Sequence, residues 1–533
     1  MAHTIQKFIG EWDTMHNNGP YPTQLLLDTF LDTSVPTLLE RYNDAADEIR
    51  NLIADALNKN QGFRAMGSRW SLSYISHHKD RIHHNRNMNI IMEVKDSDMH
   101  AGSNYRSEDL FFLQCGVRIK EISEYLVKKK KALKTTGASN GQTIAGCIST
   151  GVHGSAIDVG AIQDYVVGIN IINGPDPADI IYIESSSRPA LSDAFANQIH
   201  ARVIRDDHIF NAALVSLGAF GFIHGVIIET EDICLLKRYI GKISKANAIQ
   251  LSESLNFSNT HQIIETTGNS LNNEVDHHGI GLRPFHYKLV INPFNSKEKF
   301  LAEVMYKKPY RPDYPNPIPL IKHTISPDIL TFMTGLLAHH KWAIPKTIKL
   351  MKGSIFPNPD TPPIEGTMGE IFWDALHQGP AFAFSVAVDH QKFSAVLEIF
   401  IETLTDKNKG YLPGAIGVRF VKGTNATLGF TRFPFNCVIE VDGTLPAPKS
   451  KARKKTMDRL HAFSRNITSE LKGANIPFTF HWGKNADWQE PGLINHMYGN
   501  KANEWMTIRN NLFPNAPLAA MFTNDFLIHT GLA

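Results

Sequence analysis

The stretch TTGASNGQTIAGCISTGVHGSA, Thr135 to Ala156, constrains this chain more than any other. It holds five glycines, at 137, 141, 146, 151 and 154, with Ser139, Thr143, Ser149, Thr150 and Ser155 between them. Such a run presents bare backbone and hydroxyl donors, and it has to lie against something flat and polar. A flexible surface linker would carry no apolar punctuation. Here Ile144, Cys147, Ile148 and Val152 interrupt the run and need burial. The segment therefore reads as a binding loop anchored in a core.

Composition narrows what the loop can serve. The 533 residues carry 54 Lys+Arg and 52 Asp+Glu, a net charge of +2. A near-neutral chain lacks the basic footprint that polyanions select, so nucleic acid is not expected as a partner. Hydrophobic residues make up 42% and charged residues 20%, a globular balance with ample material for a core. The four cysteines are scattered, none in a C-x-x-C pair, which speaks against a disulfide scaffold or a structural zinc site. The first residues, MAHTIQKFIGEWDT, lack an apolar h-region. The most apolar window, Ala213 to Ile228, is too short and too broken by glycine to span a bilayer. No stable membrane span is expected, and the expected location is cytoplasmic. The histidine pairs at 77/78, 83/84, 277/278 and 339/340 are adjacent residues, which diverge on either a strand or a helix and do not favour metal binding. Rossmann, Walker and nucleophile-elbow motifs do not occur.

Along the chain, residues 1–35 read as an N-terminal extension. Residues 36–235 alternate strands and helices. The spacing predicts a helix over 45–57, an amphipathic helix over 117–131 and another over 207–217, with strands at Phe63–Met66, Asn89–Val94, Leu110–Cys115, Tyr165–Ile172, Asp179–Ile183 and Phe222–Thr230. From 236 to 480 a second mixed domain follows. Its strands are predicted at Tyr287–Asn292, Phe382–Val388, Gly417–Lys422 and Cys437–Val441, with a helix at Lys392–Thr403. Proline-rich loops bracket an apolar segment, Ile329 to Leu350, that reads as a buried helix or a lid. Residues 481–533 form a closing stretch.

Three pieces carry chemistry. In FRAMGSRWSLS, Phe63 to Ser73, a strand ends in a Gly-Ser turn whose successive N–H groups can form an anion-binding concavity. The second piece is the Thr135–Ala156 run. A diphosphate and a flavin ring need its combination of bare backbone and hydroxyl donors. The third, LVSLGAFGFIHGVIIET, sets two glycines before a buried strand, which signals close backbone packing.

In this order the pieces resemble the FAD-binding domain of the vanillyl-alcohol-oxidase, or PCMH, superfamily. The nearest likeness is to the branch of aldonolactone oxidases, alditol oxidases and flavin-type cholesterol oxidases. T-I-A-G-C-I-S-T-G-V-H-G-S, Thr143 to Ser155, matches that branch almost position by position. HWGK, His481 to Lys484, looks like its H-W-x-K, and the tail with Arg509, Leu512 and Phe513 looks like its C-terminal return. The implied fold is α+β: a two-subdomain FAD-binding domain, with a cap whose mixed or antiparallel sheet covers the flavin. The implied cofactor cradle is Ala65, Met66, Gly67, Ser68, Arg69, Trp70 and Ser71 from the first piece. The second supplies Gly137, Ala138, Ser139, Gly141, Gln142, Thr143, Ile144, Gly146, Cys147, Ser149, Thr150, Gly151, His153 and Gly154, with Cys147 also reading as a small core residue. The third supplies Gly218, Gly221, Gly225 and Val226.

Two departures matter. Many members carry G-S-G-H-S in the first motif, with its histidine bonded to the flavin. Here Trp70 takes that place, so FAD is expected to be non-covalent. The branch often carries E-x-R on a cap strand. Here Gly417-Val418-Arg419 keeps the arginine and lacks the carboxylate, which leaves the base open: Glu440 in CVIEVDG first, with Asp442 on its face, then His481. The resemblance implies oxidation of a CH–OH group by hydride transfer to flavin N5. Arg419 would hold the substrate oxygen and Lys484 would stand near flavin N1. Gly137, expected beside flavin C4a, leaves room for molecular oxygen. The substrate class is an alcohol, polyol, aldonolactone or sterol; the Phe- and Leu-rich cap would suit an apolar alcohol. The alternatives are a dehydrogenase with another acceptor, or a flavin-binding protein without turnover.

Overall fold

Periodicity and capping set the first helix. Thr37 accepts from the Glu40 N–H while the Glu40 carboxylate accepts from the Thr37 N–H, and this reciprocal cap starts a helix at Leu38 that runs to Asn58. Its buried side chains, Tyr42, Ala45, Ala46, Ile49, Leu52, Ile53 and Ala56, recur at three- and four-residue steps and face a sheet. The computed structural model describes residues 1–295, 297–314, 362–372, 379–412 and 414–533. The apolar segment Ile329–Leu350 lies outside them.

The first domain is built on two larger sheets. A four-stranded one runs in the order His3–Phe8, Leu25–Phe30, Arg81–His84, Phe63–Met66. Residues 1–35, expected as an extension, thus supply two strands of this sheet. The first of them, HTIQKF, is almost wholly exposed and the second, LLLDTF, buries only Leu25, Leu27 and Thr29, so neither forms a long apolar run. The six-stranded sheet runs Arg202–Arg205, Ile180–Glu184, Val166–Ile172, Phe222–Glu229, Leu110–Gln114, Ile91–Glu93. Its middle strands Ile180–Glu184, Val166–Ile172 and Phe222–Glu229 are buried on both faces and are apolar apart from Asn170 and His224 and the ends Glu184 and Glu229. Gly225 lies mid-strand because a Cβ there would stand 2.4 Å from the Tyr42 hydroxyl and 2.6 Å from the Phe112 ring. The glycine lets the first helix settle on the sheet, where the Tyr42 hydroxyl donates to Asn170 Oδ1 at 2.5 Å.

The cap is one antiparallel sheet of nine strands among the described residues. Its spine is Cys234–Ile243, Phe300–Pro309, His286–Ile291, Ala415–Lys422, Phe435–Thr444, Ala381–Asp389 and Thr479–Phe480. The first two, ten residues each, mix charged with apolar side chains and were not foreseen. Helices Phe393–Thr405 and Lys451–Gly473 cover one face. The other face carries Arg419, Glu440 and Asp442 and looks toward the first domain.

After Phe480 the chain returns. Trp505 donates its indole N–H to Ala212 O at 3.2 Å, and Arg509 donates to Ala219 O at 3.0 Å. The fold is α+β, with a first domain built on two larger sheets and a sheet-built cap. Among the described residues no helix is long and apolar enough to cross a membrane, and no group of three or more His, Cys, Asp or Glu is arranged to hold a metal.

Candidate active site

The three glycine-bearing pieces and the cap meet around one cavity of about 340 Å³. The first piece leaves the strand Phe63–Met66 and turns at Gly67–Ser71, with Arg69 at φ 61° and its carbonyl accepting from the Met15 N–H at 2.8 Å. A Cβ on Gly67 would stand 2.0 Å from Thr143 Oγ1, so only glycine lets the first loop lie against the second.

The second piece is not all loop. Ile144–Thr150 forms a short helix, because Ile144, Cys147 and Ile148 share one face and bury together. Gly151, at φ 68°, ends it in the left-handed conformation. The third piece turns through Leu217, Gly218 and Gly221, all at positive φ. Arg64 binds these parts together. Its guanidinium donates to Gly218 O at 2.7 Å, Ile75 O at 2.7 Å, Phe522 O at 2.9 Å and Leu217 O. Burial, with Arg509 nearby, pulls its pKa down to about 9.

The cap forms the roof. Gly417 lies directly opposite Glu440 in the strand register, and Arg419 is two residues along on the same face. The Glu440 carboxylate therefore occupies, from the neighbouring strand, the side of the sheet that Gly417 leaves bare. It accepts from Arg419 Nη1 at 3.2 Å, from Ser385 Oγ at 2.7 Å and from the Lys484 ammonium. Burial alone would raise this carboxyl. The charges of Arg419 and Lys484 outweigh burial and hold it well below the usual carboxylate range.

Lys484 and His481 arrive on the link after Thr479–Phe480. That link is tied to the first loop: Leu72 N–H donates to Gly483 O at 2.8 Å and Ser73 Oγ to Trp482 O at 2.7 Å. His153 and His481 have ring centroids 5.6 Å apart. Burial and the nearby Arg419 push His153 down to about 3; burial and His153 push His481 well below its ordinary value. Both rings are neutral at pH 7. The Gly483 N–H donates to His481 Nδ1, so the proton of that ring is on Nε2.

Of the residues expected at the cofactor, Ala65 to Ser71, Gly137, Ala138, Ser139, Gln142, Thr143, Gly146, Ser149, Thr150, His153, Gly218 and Gly221 line the cavity. So do Arg419, Glu440, His481 and Lys484. Seven expected residues do not line it. Ile144 and Cys147 point into the core from the short helix. Gly151 serves as its cap. Gly141 is packed under Trp70, where a Cβ would meet the indole at 2.6 Å, and Gly154 under Thr135 and Thr136. Gly225 and Val226 belong to the sheet packing. Residues not foreseen at the wall include Arg64, Asn85, Ala145, Leu217 and His16. Arg64 was legible as a charged residue inside an apolar strand. His16 reaches the site only through tertiary folding, edge-on to Trp70 at 5.4 Å.

The wall suits FAD. Ser68 Oγ, Gln142 Oε1 and Thr143 Oγ1 line it, buried and without a partner. A buried polar atom left unpaired costs about 1–3 kcal/mol, so such atoms point to a polar occupant. Glycines at 67, 137, 146, 218 and 221 add bare backbone.

Comparison with known proteins agrees with this geometry. Residues 42–176 match the FAD binding domain family. That segment of the chain is therefore an FAD-binding domain. More particularly, the chain is 26% identical over 183 residues to D-arabinono-1,4-lactone oxidase of Kluyveromyces lactis, covering 34% of this chain and 29% of that protein. The corresponding enzyme of Debaryomyces hansenii is 28% identical over 188 residues, covering 34% of this chain and 30% of that one. The matched stretch thus spans less than a third of either relative. Cholesterol oxidase of Brevibacterium sterolicum shares the fold, with a TM-score of 0.65 at 13% identity, over 99% of this chain and 97% of that one.

Proposed function

We propose that this protein is an oxidase that uses non-covalent FAD to oxidise a CH–OH group, with molecular oxygen as acceptor and hydrogen peroxide as product. The observation that carries the reading is the roof: Arg419, Glu440 and Lys484 converge on the cavity lined by the FAD-type loops. FAD, when bound, supplies the two-electron oxidation, accepting a hydride at N5.

The chain's own residues do the rest. Gly67, Ser68, Thr143, Gly146, Gly218 and Gly221 would hold the cofactor. Arg419 and Lys484 place two positive charges at the cap end of the cavity, where they can polarise a substrate hydroxyl and stabilise negative charge as it develops. Glu440 balances them and fixes their positions. Four charged groups at this end, Arg419, Glu440, Asp442 and Lys484, favour a polyol or an aldonolactone over a sterol, because an apolar ring system would strip water from charges without replacing it. Trp70 at the wall has no nucleophilic nitrogen suited to a flavin bond. His77, His78, His83 and His84 are committed elsewhere, to Pro22 O, the Asp80 N–H, Thr29 Oγ1 and Asp28 Oδ1 respectively.

The test is an anaerobic screen of polyols, aldonolactones, simple alcohols and sterols for flavin bleaching, followed by air. Bleaching by a polyol or lactone, with peroxide on aeration, is the expected result. Flavin that stays bleached in air yet turns over with a dye means a dehydrogenase. No bleaching by any of them refutes the reading.

A further inference from the structure

We infer that Asp442, and not Glu440, is the proton acceptor of the oxidation; this rests on the oxidase reading above. The two carboxylates stand two residues apart on the strand Phe435–Thr444 and face the same cavity. Their surroundings differ. The Glu440 side chain is 4% exposed, and its oxygens are taken by Arg419, Ser385 and Lys484. Three of its roughly four acceptor sites are held by these donors, and Asp442 bonds it as well, so Glu440 is kept as the ionised counter-charge of the trio. The Asp442 side chain is 58% exposed into the cavity, and its nearest cation, Lys484 Nζ, is 3.9 Å away. Its cross-strand neighbours are Ala415 and Ala383, which leave the approach open.

The charges facing Asp442 tune it. Glu440 lies on its own strand, Arg419 on the neighbouring strand, Lys484 is 3.9 Å away, and His481 and His153 line the same cavity. Although the side chain keeps 58% of its surface, it stands inside the cavity, where partial loss of water, the charge of Glu440 and their mutual hydrogen bond push Asp442 up to about 7, while Lys484 and Arg419 pull the other way. A base whose pKa sits near the working pH accepts a proton best. The neutral histidines do not compete: the pKa of His153 is near 3, and Arg419 stands against its protonation.

The step balances. The substrate O–H bond breaks and its proton passes to Asp442. The carbinol C–H bond breaks and leaves as hydride to the flavin, which is reduced by two electrons. The C–O bond becomes a carbonyl. Asp442 then releases its proton to solvent.

The experiment compares the native holoenzyme, Asp442→Asn and Glu440→Gln. In the native enzyme the anaerobic reduction rate should rise as pH climbs to about 7 and level off above, because the ionised carboxylate is the active form. Asp442→Asn should keep flavin bound, reduce about 10²- to 10⁴-fold more slowly and lose that limb. Glu440→Gln removes a negative neighbour, so the limb should move to lower pH. A second readout needs no turnover: infrared titration of the protonated carboxyl band in the flavin-free protein. Burial also pushes Asp164 up to about 7, so two components titrate there; loss of one of them in Asp442→Asn, and its acid shift in Glu440→Gln with the other unmoved, is expected. Native rates or an intact limb in Asp442→Asn would overturn the role while leaving the oxidase reading standing. A native protein that no alcohol, polyol or lactone reduces would overturn both.

Discussion

Two glycines in the same wall make opposite predictions when each gains one methyl. A Cβ on Gly67 would stand 2.0 Å from Thr143 Oγ1 and 3.1 Å from Thr143 Cβ. Thr143 has little freedom to retreat: it is buried, it precedes the short helix Ile144–Thr150, and its backbone pairs with Arg118. Overpacking of this kind costs about 1–3 kcal/mol. Gly67→Ala should therefore weaken FAD binding roughly 5- to 150-fold. A Cβ on Gly137 would meet Val152 Cγ1 at 3.0 Å and nothing else nearer than 3.7 Å. Gly137 is not at positive φ, so a turn does not demand glycine there. Gly137→Ala should keep FAD affinity within about threefold, or ~0.7 kcal/mol. The assay is titration of flavin-free protein with FAD, followed by flavin fluorescence. Stopped-flow then separates the half-reactions: Gly137→Ala should reduce at the native rate and reoxidise in air about tenfold more slowly, ~1.4 kcal/mol in the barrier. Native FAD affinity in Gly67→Ala would refute the packing argument. Equal loss of FAD in both variants would show that Gly137 is wanted for the cradle and not for access to oxygen.

The other predictions are simpler to run. Acid precipitation of the holoprotein should leave all yellow colour in the supernatant, and flavin retained by the pellet would contradict the reading of Trp70. Lys484→Met and Arg419→Met should each keep flavin bound and slow anaerobic reduction at least ~10²-fold, the scale for losing one preorganised charge. Unchanged rates in both variants would remove them from the chemistry. Glu440→Ala should cost about 3–5 kcal/mol in unfolding by denaturant, because it leaves Arg419 and Lys484 buried together without a counter-charge. A cost under about 1 kcal/mol would mean that solvent already screens the trio.

What the sequence determined by itself is local. The glycine, serine and threonine run between Thr135 and Ala156 announced a cofactor loop, because its need for close backbone approach is written in consecutive residues. The strands Val166–Ile172, Ile180–Glu184 and Phe222–Glu229 were legible as apolar runs, since they are buried on both faces. Trp70 at the linking position was also readable from the motif alone. What only the tertiary structure decided is register and return. Glu440 comes to lie opposite Gly417, beside Arg419, because two antiparallel strands pair at that step, and a shift of one residue would turn it to the other face. The strands Cys234–Ile243 and Phe300–Pro309 escaped notice because their charged residues, Arg238 and Glu303, find each other only across the sheet, at 2.6 Å. Residues 1–35 joined a sheet whose other strands lie up to 84 in the chain. His16 reached the cavity wall by the same non-local pairing, whose energetics depend on partners far away in sequence and so leave no local pattern to read.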